Sequence, residues 1–303
     1  MEMKLERFEK SDIIGNGSYK NLYEVCSKLQ DIVDKDEFIK ENWNNIVYLT
    51  HSTFKRKTDK AFEIDNIRTT NAFWKMLEIW CHFKFTYQEI HHFDIACAPG
   101  FFIFAMRDIA NKLNIKYDFK GFTLKEGLEL DDSLKQSNNI FYHNILTDEL
   151  SEEYYGKFNF VTGDIGTETN YDTIEEIQLI ELEKKQLETA LRLVSNGGSV
   201  ILKMFTYSQK ETIRLVDEFA KHFNVSYIYK PYSSRVLNNE SYLVGIHYDI
   251  YSCVDKGSNA ELIEYFENER QKMRLETLNA AITLTKIKQG QYLITKLYDR
   301  LIK

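Results

Sequence analysis

Between residues 92 and 248, seven short apolar runs rich in β-branched and aromatic residues alternate with stretches of helical length. The runs cover 92–96, 118–123, 140–143, 158–163, 199–204, 225–229 and 242–248, and amphipathic stretches at 101–113, 173–194 and 210–223 lie between them. Strands that alternate with helices build a mostly parallel sheet with helices on both faces. Nine of the 13 glycines fall between Gly100 and Gly245, mostly at strand ends where tight βα turns need them. A helix over 70–83 precedes the first run. Residues 1–67 read as a mostly helical leader, with Leu22, Val25, Leu29 and Ile32 at helical spacing and a short strand over 46–49. Residues 258–303 return to helix, with Leu262, Tyr265, Phe266, Met273 and Leu278 as packing positions.

Composition narrows the function classes. The chain of 303 residues carries 39 basic and 46 acidic side chains, a formal net charge of −7. That balance excludes a chain basic throughout but leaves room for a local basic surface, which is what phosphate binding requires. Lys55, Arg56, Lys57 and Lys60 form the densest basic run, which taken alone reads as solvated surface. With 43% hydrophobic and 14% aromatic residues there is enough apolar surface to offset chain ordering. No apolar run approaches the ~18 residues of a membrane helix, and the charged start Met1-Glu2-Met3-Lys4 lacks the apolar stretch of a secretory signal. The expectation is no membrane association and cytoplasmic placement, with nuclear or virion association as alternatives. Cys26, Cys81, Cys97 and Cys253 lie far apart, so neither a disulfide framework nor a metal site is expected.

Several segments carry chemistry. Ile13-Ile14-Gly15-Asn16-Gly17-Ser18 has the glycines of a phosphate loop, but no Val-Ala-Ile-Lys strand or His-Arg-Asp loop follows, so it reads as a turn. Phe93-Asp94-Ile95-Ala96-Cys97-Ala98-Pro99-Gly100-Phe101-Phe102 is an apolar strand that ends in a small-residue turn and opens directly into a helix. Small side chains let a ligand approach the backbone, and the helix start offers free N–H groups. Lacking GxGxxG spacing, the turn suits a smaller nucleoside ligand better than a pyrophosphate cofactor, and taken alone a purely structural βα turn explains it about as well. Val161-Thr162-Gly163-Asp164-Ile165-Gly166 places a carboxylate just past a buried strand. Gly197-Gly198-Ser199-Val200-Ile201-Leu202-Lys203-Met204-Phe205 sets a lysine inside an apolar strand, where desolvation disfavours its charged form. Lys230-Pro231-Tyr232-Ser233-Ser234-Arg235 then precedes Glu240 at the start of the last strand.

Together these segments resemble the FtsJ-like family of S-adenosylmethionine-dependent RNA ribose 2′-O-methyltransferases, over roughly 68–248. The family's loop Asp-x-x-x-x-Pro-Gly-x-Phe is matched by Asp94 to Phe102, and its Lys–Asp–Lys–Glu catalytic set by Lys75, Asp164, Lys203 and Glu240 in order. Two departures stand out. The family's Asp-hydrophobic-Ala-Pro is here Asp164-Ile165-Gly166-Thr167, and its adenine-contacting aspartate is here Asn144 in His143-Asn144-Ile145-Leu146. The amide oxygen of Asn144 can still accept a hydrogen bond. Gly121-Phe122-Thr123-Leu124-Lys125 is similar to the mRNA cap branch of the family, and the extensions on both sides point the same way.

The resemblance implies an α/β fold: a Rossmann-like, seven-stranded S-adenosylmethionine methyltransferase domain (68–248) between a helical, substrate-binding N-terminal extension (1–67) and a C-terminal helical extension (249–303). It implies S-adenosylmethionine as cofactor, held by Asp94, Ala96, Ala98, Pro99, Gly100, Phe101, Thr123, Asn144, Ile145 and Asp164. It implies methyl transfer to a ribose 2′-hydroxyl with Lys203 as general base, Lys75 beside it, and Asp164 and Glu240 orienting both amines. The favoured substrate is the first transcribed nucleotide of capped mRNA. The alternatives are rRNA or tRNA, and a catalytically silent RNA-binding subunit of a capping assembly with a protein partner. Lys55, Arg56, Lys57, Lys230, Ser234 and Arg235 are the candidate RNA contacts; Trp43, Tyr48 and Phe54 are candidate stacking platforms, although as isolated aromatics they read first as core positions.

Overall fold

The computed structural model describes residues 6–8, 35–42, 46, 70–166, 175–231, 233–235, 237–251 and 258–301. In chain order the elements are β1 (Glu6–Phe8), α1 (Asn71–Phe83), β2 (Glu89–Ile95), α2 (Phe101–Leu113), β3 (Lys116–Thr123), α3 (Asp132–Lys135) and β4 (Ile140–Tyr142). They continue with β5 (Phe158–Gly163), α4 (Glu175–Leu193), β6 (Val194–Met204), α5 (Lys210–Lys221), β7 (Phe223–Tyr229), β8 (Ser241–Tyr248) and α6 (Ala260–Leu301).

The strands form one sheet in the order β1-β7-β8-β6-β5-β2-β3-β4. From β6 through β5, β2 and β3 to β4 the pairs are parallel, whereas β8 runs antiparallel to both β6 and β7. Seven strands are those expected from the periodicity. The eighth, β1, comes from the leader and pairs antiparallel with β7, whereas the other described leader residues, 35–42 and 46, are mostly helical. Of the expected strand over 46–49 only Ile46 is described, and it is helical. Residues 47–49, the helical pattern over 22–32, the turn at Gly15, the aromatics Trp43, Tyr48 and Phe54, and Lys55, Arg56, Lys57 and Lys60 lie outside the described residues.

Period-two alternation sorts each strand between two cores. In β6, Val200, Leu202 and Met204 pack with Leu187 of α4 and Phe219 of α5, whereas Ile201 packs with Phe73 of α1 and Ile103 of α2. Lys203 shares the parity of Ile201, so the alternation points it at the α1 layer. The chain runs outward from β2 to β3 and β4, then crosses back to build β5 and β6 on the other side. Strand order therefore reverses between β2 and β5, the place in such sheets where ligands bind beyond the strands' carboxyl ends.

Helix α6, about 63 Å long at 1.5 Å per residue, first packs Ile263 and Phe266 under the sheet. Leu278 and Ala281 then meet Ile39, Ile46 and Leu237 in a small third core. Of the packing positions expected on this helix, Phe266 and Leu278 are buried, Leu262 and Met273 half-buried, and Tyr265 exposed. Among the described residues no helix is long and apolar enough to cross a membrane.

Candidate active site

The turn after β2 is built by residues without bulk. Gly100 sits at φ 114° as the N-terminal cap of α2, and a Cβ there would lie 2.1 Å from Leu134 Cδ1. On the neighbouring strand, a Cβ on Gly121 would lie 2.7 Å from the Asp94 carbonyl oxygen. These two glycines let the turn tuck against β3, where Cys97 N–H donates to Phe122 O at 2.9 Å. Beyond the turn opens a cleft of about 460 Å³, lined on one side by Asp94, Ala96, Ala98, Pro99 and Phe101 and on the other by Asp164 and Lys203. That size lies within the range of about 300–1,000 Å³ found for small-molecule sites.

Asp94 is the buried carboxyl of this cleft. Burial pushes its carboxyl up to about 8; a hydrogen bond from Thr162 acts against that rise, and the charge of Asp164 adds to it. Thr162 Oγ1 donates to Asp94 Oδ1 at 2.7 Å, and His92 Nε2 lies 2.7 Å from the same hydroxyl. His92 Nδ1 lies 3.0 Å from Tyr117 Oη. Complete burial depresses the His92 imidazole to about 3, so the ring is neutral and carries one N–H.

Across the cleft four side chains converge from four elements: Lys75 from α1, Asp164 after β5, Lys203 from β6 and Glu240 before β8. Lys75 Nζ lies 2.9 Å from Glu240 Oε1 and 3.8 Å from Asp164 Oδ2. Lys203 Nζ lies 3.2 Å from Asp164 Oδ1 and donates to the Asp164 carbonyl at 2.9 Å. Burial alone would lower Lys75, but Asp164 and Glu240 outweigh it and raise this amine above its ordinary value. Burial alone would raise Glu240, yet the ammonium groups of Lys75, Lys203 and Lys230 bring it down to about 2. Lys75 and Glu240 thus form a fixed ion pair.

Other residues hold these four, and the sequence reading missed them. Tyr242, opposite Lys203 in the β6–β8 register, donates its hydroxyl to Asp164 Oδ1 at 2.8 Å. Gln186 of α4 donates to Lys203 O at 3.1 Å and accepts from Ile165 N at 3.3 Å, tying the strand of Lys203 to the turn of Asp164. Glu78, one turn after Lys75 on α1, accepts from Ser233 N, Ser233 Oγ and Tyr229 Oη at 2.8, 2.6 and 2.6 Å. Helical spacing from Lys75 was the one signal available for Glu78, and strand parity the one for Tyr242.

Two expected RNA contacts are corrected. Lys230 is buried and its amine donates to Ser234 Oγ at 3.1 Å, Asn238 O at 3.1 Å, Asn238 Oδ1 and Glu240 O at 2.6 Å. Burial pushes this amine well below its ordinary value. Ser234 is buried as well and donates to Glu240 Oε1 at 2.9 Å. Both belong to the frame of the 233–240 loop because its carbonyls and hydroxyls need donors. Arg235 is exposed. Of the expected cofactor contacts, Asp94, Ala96, Ala98, Pro99, Phe101 and Asp164 line the cleft, whereas Gly100, Thr123, Asn144 and Ile145 do not. Gly100 shapes the turn from behind. Thr123 is buried with its carbonyl accepting His143 N at 3.0 Å. Asn144 Oδ1 accepts from Leu146 N at 3.0 Å, and Ile145 lines a separate cavity of about 300 Å³.

Residues 69–248 match the family described as FtsJ-like methyltransferase. The chain is 29% identical over 153 residues to the "Cap-specific mRNA (nucleoside-2'-O-)-methyltransferase" of Autographa californica nuclear polyhedrosis virus, covering 50% of this chain and 57% of that protein. It is 40% identical over 83 residues to the "Probable methyltransferase EP424R" of African swine fever virus, covering 27% and 19%. It is 27% identical over 181 residues to the "Cap-specific mRNA (nucleoside-2'-O-)-methyltransferase 2" of Drosophila melanogaster, covering 50% and 26%. The chain therefore spans less than two thirds of each of these relatives.

Proposed function

The chain belongs to the FtsJ-like methyltransferase family, and from that membership we propose that it methylates a ribose 2′-hydroxyl at the first transcribed nucleotides of capped mRNA. One observation carries this reading: Asp164 and Lys203 line the same cleft as the Asp94–Phe101 turn, an arrangement that would set a nucleoside held by that turn opposite the Lys203 amine. Relatives named as cap-specific 2′-O-methyltransferases support the choice of substrate.

The cleft suits S-adenosylmethionine, a cationic nucleoside. It offers a buried carboxylate on Asp94, a backbone bared by Ala96 and Ala98, and a turn whose shape a side chain at position 100 would destroy. When bound, S-adenosylmethionine supplies an electrophilic methyl group. The residues of this chain do the rest. A ribose hydroxyl is a weak nucleophile and must lose its proton during attack. Lys203 Nζ, at the cleft wall, enters this step as the neutral amine and takes that proton, becoming the ammonium. Lys75 is held charged by Asp164 and Glu240 and so serves as the fixed cation. Asp164, with Lys203, Lys75 and Tyr242 around its carboxylate, fixes the direction of Lys203. Positioning of the hydroxyl in line with the methyl group supplies much of the remaining rate. We assign this chemistry to residues 68–248, with 1–67 and 249–303 as extensions, and phosphate contact to exposed Arg235 and the basic run Lys55–Lys57.

The test is methyl transfer from labelled S-adenosylmethionine to short RNAs with a methylated cap, an unmethylated cap or no cap. The expected result is label on the first-nucleotide 2′-hydroxyl of capped RNA, abolished in Lys203→Ala with S-adenosylmethionine binding intact. Label independent of the cap would transfer the assignment to structured RNA. Near-normal turnover by Lys203→Ala would overturn the role of that amine.

A further inference from the structure

We propose that the C-terminal helix α6 belongs to the catalytic apparatus: Arg270 and Arg274 are positioning residues that hold the 237–240 segment and, through it, the carboxylate of Glu240. The activity arm of this proposal rests on the methyl-transfer reading above. Both arginines are buried, at 0% and 5% exposure. Arg270 Nη1 donates to Phe205 O at 2.8 Å and to Asn239 O at 2.5 Å. Its Nε and Nη2 grip Glu267, one turn earlier, at 3.1 and 2.7 Å. Arg274 Nε and Nη2 both donate to Leu237 O, at 3.1 and 2.7 Å, and Nη1 donates to Asn239 Oδ1 at 2.6 Å.

The chemistry explains why arginine stands here. A loop that leaves the sheet exposes carbonyls with no strand partner, and buried carbonyls must be satisfied. A guanidinium presents several donors in a rigid fork, so one side chain fixes two acceptors in relative position. Glu267 neutralises Arg270, which a buried cation requires. Arg270 joins the residue two places after Lys203 to the residue one place before Glu240. It therefore ties together the two segments that carry Lys203 and Glu240. Lys230 holds the same loop from the sheet side through Asn238 O and Glu240 O. Leu237 adds a hydrophobic anchor, packed with Leu278 of α6 and Ile39 of the leader. The two arginine donors thus come from beyond residue 248, outside the part of the chain that matches the family.

The test compares wild type, Arg274→Ala and Asn239→Ala, each also in a Glu240→Gln background. Asn239→Ala removes one acceptor from the loop and leaves the helix untouched, so it carries the test should Arg274→Ala not fold. Because a misplacement of about 1 Å can cost about a hundredfold in rate, the expected result is a fall in kcat of about tenfold or more. KM for S-adenosylmethionine stays within about twofold, since the loop does not line the cleft, and amide exchange rises at 237–241. In the Glu240→Gln background the second substitution adds no further loss in kcat, because the residues act through one carboxylate. Unchanged kcat in both single variants, or additive losses in the double variants, would overturn the proposal. Should the wild-type chain transfer no methyl to any RNA, the methyl-transfer reading falls and exchange decides alone. Faster exchange confined to 237–241 supports the positioning role, and unchanged exchange overturns it.

Discussion

Thr162 shows how one hydroxyl sets the chemistry of a carboxylate. With Asp94 ionised, the single hydroxyl hydrogen of Thr162 goes to Asp94 Oδ1, so His92 Nε2 must be the donor to Thr162 and His92 Nδ1 the acceptor from Tyr117. Every donor in this chain then points toward Asp94 and favours its anion. A cationic nucleoside prefers that anion, so affinity for S-adenosylmethionine rises as pH rises through about 8 and then levels off. The sign for folding is opposite. A carboxyl raised from 3.8 to about 8 favours the folded state at low pH, and that contribution is lost as pH rises through this window. Thr162→Val keeps the shape and removes a donor worth about 1.5–3 kcal/mol to a charged acceptor. Affinity at pH 7 therefore falls by about tenfold or more and the binding midpoint moves to higher pH, while Thr162→Ser stays near wild type and Asp94→Asn gives a flat profile. Calorimetric titrations from pH 6 to pH 9.5 check this, and coincident curves for valine and serine would refute it. Asp94 was legible from its motif, but Thr162 and His92 were not: they looked like interior positions of ordinary strands, and only the paired register brings them to one carboxylate.

At the scale of elements, the periodicity located α2 and β5 to the residue because their ends are chemically marked. Gly100 starts α2, and Asn114, left-handed at φ 53°, stops it. The start of β6 was misplaced. The run was expected from Ser199, whereas the strand begins at Val194 and a register shift against β5 absorbs the extra residues. Strand β1 was illegible because three residues, Glu6-Arg7-Phe8, contain no alternation to read; the free edge of β7 decides their place. The frame around Glu240 was hidden for a related reason, since Lys230 and Arg274 look like surface cations until the loop carbonyls they satisfy are seen. Among the caps, Gly100 makes the sharpest prediction. Alanine there meets a left-handed backbone that costs about 1–3 kcal/mol and a 2.1 Å approach to Leu134, an overpacking worth about 1–3 kcal/mol more. Thermal unfolding of Gly100→Ala should fall by several degrees, at about 2–4 °C per kcal/mol for a domain of this size, with S-adenosylmethionine binding weakened beside it. A variant with unchanged Tm would show that the turn relaxes without strain.

The whole molecule carries a net charge of −7 and yet is assigned a polyanionic substrate. The two statements agree only if the phosphates meet a local positive field, because exposed charges separated by more than about 8 Å are largely screened at physiological salt. Most cations near the site cannot supply that field. Lys75 is paired with Glu240, Lys203 with Asp164, Lys230 is buried in its loop, and Arg270 is neutralised by Glu267. Arg235 differs, because it stands exposed on the same loop whose Ser234 and Glu240 touch the site. A phosphate contact there predicts that RNA affinity falls as salt rises despite the acidic total, since each neutralised phosphate releases a counterion. Removing one contact should lower the slope of log K against log salt by about 1. Arg235→Ala is thus expected to weaken RNA binding at low salt and flatten that slope, with S-adenosylmethionine affinity unchanged because Arg235 does not line the cleft. Fluorescence anisotropy with a capped oligoribonucleotide across 50–300 mM salt reads both quantities. An unchanged slope in Arg235→Ala would place the phosphate path on other cations of the chain.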